Sequence, residues 1–274
     1  MKVTVSTDWL AQHINDPKLR ILDASWYLPT ENRDGRTEYE AQHIAGAQFF
    51  DIDAISDTSS DLPHMAPTAA VFETAVRNMG ISNDSTIIIY DGAGLFSAAR
   101  VWWMFRVMGH DDVYVLDGGL PEWIAKGLPT QSTPTQPDTG NFSAKFNAQN
   151  IVDETQVLKT TAQVIDARPP ARFRGETPEP RAGLRSGHIP NSTNVFFKAV
   201  LTPDNHLKSV DDLRDVFQGA NIDLTKPIIT SCGSGVTAAV LALALARLDV
   251  TEQALYDGSW AQWGADENLP LQTG

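Results

Sequence analysis

The chain of 274 residues contains one cysteine, Cys232. That scarcity excludes an internal disulfide framework and any CxxC metal or redox site. No apolar run reaches the ~18 residues needed to span a bilayer. The start, MKVTVSTDWLAQHIND, has neither the apolar stretch of a signal peptide nor the Arg/Ser bias of a transit peptide, so a cytoplasmic, reducing compartment is expected. Basic residues are also few: 21 Lys and Arg against 34 Asp and Glu give a formal net charge of −13. Such a field repels nucleic acid and anionic membrane, and neither is expected as a partner. No metal or organic cofactor is expected.

What is present fits an ordinary soluble protein with a sizeable core: 42% hydrophobic and 20% charged residues. The length is generous for one domain and natural for two of about 130 residues. The chain is in fact a repeat. ILDASW (21–26) parallels VIDARP (164–169), and HIAGA (43–47) parallels HIPNS (188–192). IIIYDGAG (87–94) parallels IITSCGSG (228–235), and YVLDGGLPEW (114–123) parallels ALYDGSWAQW (254–263). The order never changes, which marks a tandem duplication. Between the halves, PTQSTPTQPDTGNFSAKFNAQN reads as an extended linker over the surface, so the expected division is 1–128, linker 129–150, and 151–274.

Each half alternates short apolar strands with helical patterns. In the second half the strands are AQVIDAR, KPIITSC and QALYDGS, and the helices DDLRDVFQGA and GVTAAVLALALARL. This predicts an α/β fold in each half, a parallel sheet with helices on both faces. Ligands of such sheets bind beyond the carboxyl ends of the strands, where Cys232 stands.

Gly233 and Gly235 let the backbone after Cys232 turn tightly and present free N–H groups. The helix that follows is apolar on every face, so it is expected to be buried with its positive end fixed toward the loop. Such surroundings stabilise a thiolate, the reactive form of cysteine. A phosphatase would need an arginine six residues on, where Ala238 stands. An internal-relay arsenate reductase would need more thiols. Cysteine hydrolysis needs a histidine base, and six histidines leave that open. Sulfur transfer needs only one thiolate and N–H donors. An anionic substrate would have to overcome the net charge through a local basic cluster. RPPARFRGETPEPRAGLR (168–185) supplies five arginines on a proline-stiffened segment.

The ordered repeat, CGSGVT, DGSW and RFRGETPEPR together resemble the tandem-domain rhodanese superfamily over nearly the whole chain. The resemblance implies two rhodanese-like domains and sulfur transfer from a small anionic donor to a thiol, cyanide or thioredoxin-like acceptor. Thiosulfate-using relatives carry basic residues after the cysteine. Gly233 and Ser234 match the 3-mercaptopyruvate branch instead. By the same resemblance Cys232 would carry the persulfide, and Arg172 and Arg181 would grip carboxylate and keto oxygen. The loop residues Gly233, Gly235, Val236 and Thr237 would line the substrate. Ser234, His64 and Asp53 would form a proton relay. Asp91 replaces the cysteine in the first half, which should therefore be catalytically silent. The rival readings are a thiosulfate:cyanide sulfurtransferase and a non-catalytic sulfur-carrier module. Trp123, Trp263, residues 101–105, Asp23, Asp166, His43 and His188 read as structural.

Overall fold

The computed structural model describes residues 1–274. The first half runs β1 (Thr4–Val5), α1 (Thr7–His13), β2 (Leu19–Asp23), α2 (Gly35–Ala41), β3 (His43–Ile44), β4 (Gln48–Phe49), α3 (Ala69–Asn78), β5 (Thr86–Tyr90), α4 (Ala98–Val107), β6 (Val113–Leu116) and α5 (Gly119–Ala125). After β7 (Thr130–Gln131), the second half runs β8 (Ile151–Val152), α6 (Glu154–Leu158), β9 (Gln163–Asp166), α7 (Pro170–Phe173), β10 (Thr193–Asn194), α8 (Val210–Gly219), β11 (Ile228–Ser231), α9 (Val236–Arg247), β12 (Gln253–Tyr256) and α10 (Ser259–Trp263). No helix is long and apolar enough to cross a membrane.

The two halves build the same sheet. The first has strand order β1-β6-β5-β2-β4 and the second β8-β12-β11-β9-β10, all pairs parallel. Both central strands are buried almost throughout, as continuous runs such as Ile87-Ile88-Ile89-Tyr90 require when helices cover both faces. The duplicated residues repeat their roles. The indole N–H groups of Trp123 and Trp263 donate to the carbonyls of Pro129 and Pro270 at 2.9 and 2.7 Å. His43 stacks on Tyr39 and His188 on Phe173, each with its Nδ1 on the carbonyl of the residue it stacks against. Asp23 and Asp166 accept the N–H groups of Ser25 and Arg168, which ties down the loop after each strand.

Helices α4 and α9 are apolar around nearly their whole circumference and pack on each other. The largest core cluster accordingly draws on both halves.

The segment expected to lie over the surface does more than that. Its start, β7, pairs antiparallel with β3. Further on, Phe142 is fully buried, its ring 5.8 Å from Phe72 and 6.1 Å from Phe105. The polar composition of 129–150 hides this one aromatic anchor, which closes the face between α3 and α4. Phe142→Ala should therefore destabilise the fold by about 3–5 kcal/mol, the range for an emptied aromatic site. Denaturant unfolding measures it, and a loss below about 1 kcal/mol would return the segment to a surface strap.

Candidate active site

Strand β11 ends at Ser231, and the chain turns through Cys232–Gly235 into α9. The turn requires a left-handed residue, and Gly235 supplies it at φ 80°. The N–H groups of Gly233, Ser234, Gly235, Val236 and Thr237 have no acceptor within the protein. The other side of the loop is held firmly. The Cys232 N–H donates to Ser259 Oγ at 3.2 Å. The N–H groups of Trp260 and Ala261, at the start of α10, donate to the carbonyls of Cys232 and Gly233 at 2.9 and 2.8 Å. Cys232 is buried to 2% exposure, yet it lines a cavity of about 320 Å³ between the two halves.

The first half reveals what such a loop holds. Asp91 takes the place of the cysteine, and its carboxylate accepts the N–H groups of Ala93, Phe96 and Ala98 at 2.9, 2.7 and 2.9 Å. The loop there is filled by its own anion, although burial pushes that carboxyl above the usual range. In the second half the loop has no internal anion.

The five arginines of 168–185 divide. Arg168 is buried, paired with Asp166 and Glu179 and stacked 4.3 Å from the Trp260 ring. Arg185 donates to the carbonyls of Trp263, Gly264, Asp266 and Leu269. Arg174 pairs with Glu176 at the surface. Arg168, Arg172 and Arg181 line the cavity, but Arg168 is held by two carboxylates and Arg172 is bonded to Glu179. Arg181 has no carboxylate within ion-pair distance; burial pushes its guanidinium below the ordinary value, and the nearby Cys232 sulfur partly offsets this.

His64 and Asp53 come together from the first half. His64 Nδ1 lies 2.9 Å from Asp53 Oδ1, a contact that holds the Asp53 carboxyl below its usual range. The Trp26 indole N–H donates to the other Asp53 oxygen, and its ring meets His64 edge-on. The second nitrogen of His64 faces Arg181 Nη2 at 3.5 Å. A guanidinium only donates, so Nε2 is the acceptor in that contact. Ser234 lines the same cavity as Cys232, but no Ser234–His64 hydrogen bond forms. The residues that sequence reasoning placed in the donor site, Cys232, Gly233, Ser234, Val236, Thr237, Arg172 and Arg181, share one cavity, with Gly235 at its helix start. His64 and Asp53 line an adjoining one of about 500 Å³, joined to the first at Arg181.

Two supporting residues escaped the sequence reading. Glu179 lay within RFRGETPEPR, where its spacing gives no hint that it would be buried between two arginines. Ser259 lay within DGSW, and the recurrence of that turn in both halves was the available signal.

Comparison with known proteins agrees with the geometry. The rhodanese-like domain model matches residues 6–126 and 148–266. The chain is 48% identical to 3-mercaptopyruvate sulfurtransferase of Escherichia coli K12, over 98% of this chain and 97% of that one. It is 45% identical to thiosulfate sulfurtransferase of Rattus norvegicus, over 96% and 92%. The crystal structure of SseA from Escherichia coli, a 3-mercaptopyruvate sulfotransferase with the rhodanese fold, superposes with a TM-score of 0.87 at 44% identity, covering 95% of this chain and 99% of that one.

Glu179→Gln removes the shared partner of two guanidiniums while leaving their positive charge in place. Loss of one member of a buried ion pair costs about 3–5 kcal/mol. Chemical denaturation should show a loss of that order; a loss within 0.5 kcal/mol of zero, the range of ordinary surface changes, would mean water serves Arg168 and Arg172 equally well.

Proposed function

The chain belongs to the rhodanese family as two such domains in tandem, and from that premise we propose that it is a sulfurtransferase. It takes sulfur from 3-mercaptopyruvate onto Cys232 and passes it to a thiol, cyanide or thioredoxin-like acceptor, with release of pyruvate. The observation that carries the reading is the lone thiol in a loop of unused N–H groups, facing a cavity that Arg172 and Arg181 also line.

The chemistry balances without a cofactor. The Cys232 thiolate attacks the donor sulfur, an S–S bond forms, and the donor C–S bond breaks with its electron pair on carbon. The products are a Cys232 persulfide and the enolate of pyruvate. The persulfide proton then passes to the enolate carbon, which gives a persulfide anion and pyruvate. The loop N–H groups stabilise the sulfur anion as Ala93, Phe96 and Ala98 stabilise the Asp91 carboxylate. Arg181 and Arg172 hold carboxylate and keto oxygen and steady the charge that builds on the enolate. Ser234 lines the cavity with Cys232, and Asp53 orients His64 with Nε2 toward Arg181. That arrangement suits a base for the proton step, with Ser234 joining through the bound donor rather than through a direct bond to His64. Asp91 cannot carry sulfur, so the first domain is silent and supplies Asp53 and His64. The domains on this reading are 1–128 and 151–274, joined by 129–150, and a reducing cytoplasm would keep Cys232 available. The rival thiosulfate reading rests on relatives that carry that name.

Incubation with mercaptopyruvate and no acceptor should add one sulfur atom to Cys232, seen by intact mass, with one pyruvate released. Cys232→Ser should abolish adduct and turnover; activity in that variant would end the proposal. Arg181→Ala should raise the mercaptopyruvate KM roughly 10–100-fold, the loss of one charged hydrogen-bond pair. Arg172→Ala should act in the same direction. Thiosulfate turning over faster than mercaptopyruvate in the unaltered protein would favour the rival donor.

A further inference from the structure

Arg100 belongs to α4 of the domain without a cysteine, yet its guanidinium ends at the other domain's loop. It is fully buried. Its Nη2 donates to the His64 carbonyl and lies 2.7 Å from Asp257 Oδ1. The other Asp257 oxygen accepts the N–H of Ala66 at 2.7 Å. Nη1 presses on the start of α9, where a Cβ added to Gly235 would lie only 2.7 Å away. Nε and Nη1 have no hydrogen-bond acceptor.

This is a poor arrangement for stability alone. A buried ion pair rarely outperforms apolar packing, and spare buried donors add to its cost. One face of the guanidinium lies over the Trp103 ring at 4.3 Å, and its remaining contacts coincide with the parts of the site. His64 holds a left-handed backbone, φ 61°, which persists only if its surroundings fix it, and Arg100 holds its carbonyl. Gly235 is the left-handed hinge between the cysteine loop and α9. Asp257 opens the turn whose Ser259, Trp260 and Ala261 bind Cys232 and Gly233.

We propose that Arg100 is a positioning residue for sulfur transfer, the clamp by which the cysteine-free domain sets His64 and both ends of the Cys232 loop in one register. The inference rests on the sulfurtransferase reading above. Lysine would keep the charge beside Asp257 but has no planar fork to serve His64 and Gly235 together. Misplacement by about 1 Å at a reacting group can cost on the order of 100-fold in rate.

The test compares Arg100→Lys with the unaltered full chain, using melting temperature, mercaptopyruvate kcat and KM, and the burst of pyruvate that counts loaded Cys232. The clamp predicts a kcat per loaded site lower by roughly 10–100-fold. KM should stay within about threefold, because Arg172 and Arg181 still bind the donor. Asp257→Asn keeps the volume and an acceptor for Ala66, tests the same clamp should the lysine variant not fold, and should lose kcat likewise. The double variant should lose little more than the worse single one, since both cut one unit. A lower melting temperature with kcat per loaded site unchanged, or a rise confined to KM, overturns the clamp and leaves Arg100 a structural residue. An unaltered chain that releases no pyruvate from mercaptopyruvate defeats the functional reading instead.

Discussion

Helices α4 and α9 have almost no polar face, and each must be covered by something other than water. They cover each other. Once this is so, the two domains cannot be loosely tethered, because the largest core belongs to both. It also sets where chemistry can occur. Each helix begins directly after the loop that leaves the central strand of its own sheet. Packing the two helices together therefore brings the two loops, and the segments that flank them, toward one seam. The cavity beside Cys232 is walled from one side by Trp26 and Phe96 and from the other by Phe197 and Lys198. A single domain would lack the wall that Trp26 and Phe96 give the loop at the carboxyl end of its sheet.

The duplication then supplies its own comparison. Both loops sit between a buried parallel strand and a buried helix, and both offer N–H groups to an anion. One encloses a carboxylate that the chain itself provides, and the loop is complete without a ligand. The other holds a small thiol and keeps its N–H groups unused within the protein. The first loop runs longer before its helix starts and closes around Asp91; the second is short and leaves its N–H groups open beside Cys232. The first domain has no nucleophile at this position and contributes instead what a loop cannot hold for itself: a braced histidine, a carboxylate, and a buried guanidinium reaching Gly235.

Much of this was legible in the sequence, and the reasons are local. The repeat showed because strands and turns recur as short words. The cysteine loop showed because glycines, a strand and an apolar helix are adjacent in the chain. The sheets followed from the alternation of strands and helices. Contacts between distant segments were not legible. Arg100 and Asp257 lie in different halves, and nothing near Arg100 in an apolar helix marks it as more than a helix residue. Phe142 was hidden by the polar residues around it. For the Ser234, His64 and Asp53 relay, the sequence could place each residue near the site but could not fix the direction of the imidazole. That direction is set by Asp53 at Nδ1, and Arg181 stands at Nε2, the place expected for serine.

The charge pattern at the cavity connects the loop sequence to the donor. Asp166 and Glu179 are taken up by Arg168 and Arg172, which leaves Arg181 as the guanidinium with no carboxylate in contact. Lys198 lines the same cavity with no ion partner, so the site offers positive charge to an anionic donor, and the Arg172 guanidinium shared with Glu179 adds a planar fork for a carboxylate. The loop adds a steric restriction. A Cβ added to Gly233 would sit 3.3 Å from Arg172 Nη2, so that guanidinium would have to give way by a few tenths of an ångström. A basic side chain would, in addition, set two positive charges against each other. A basic residue at 233 therefore works against Arg172 in its present position. The neutral Gly233-Ser234 pair is the loop sequence that leaves Arg172 free to point at a carboxylate, and on the proposed function that is what separates a keto-acid donor from thiosulfate.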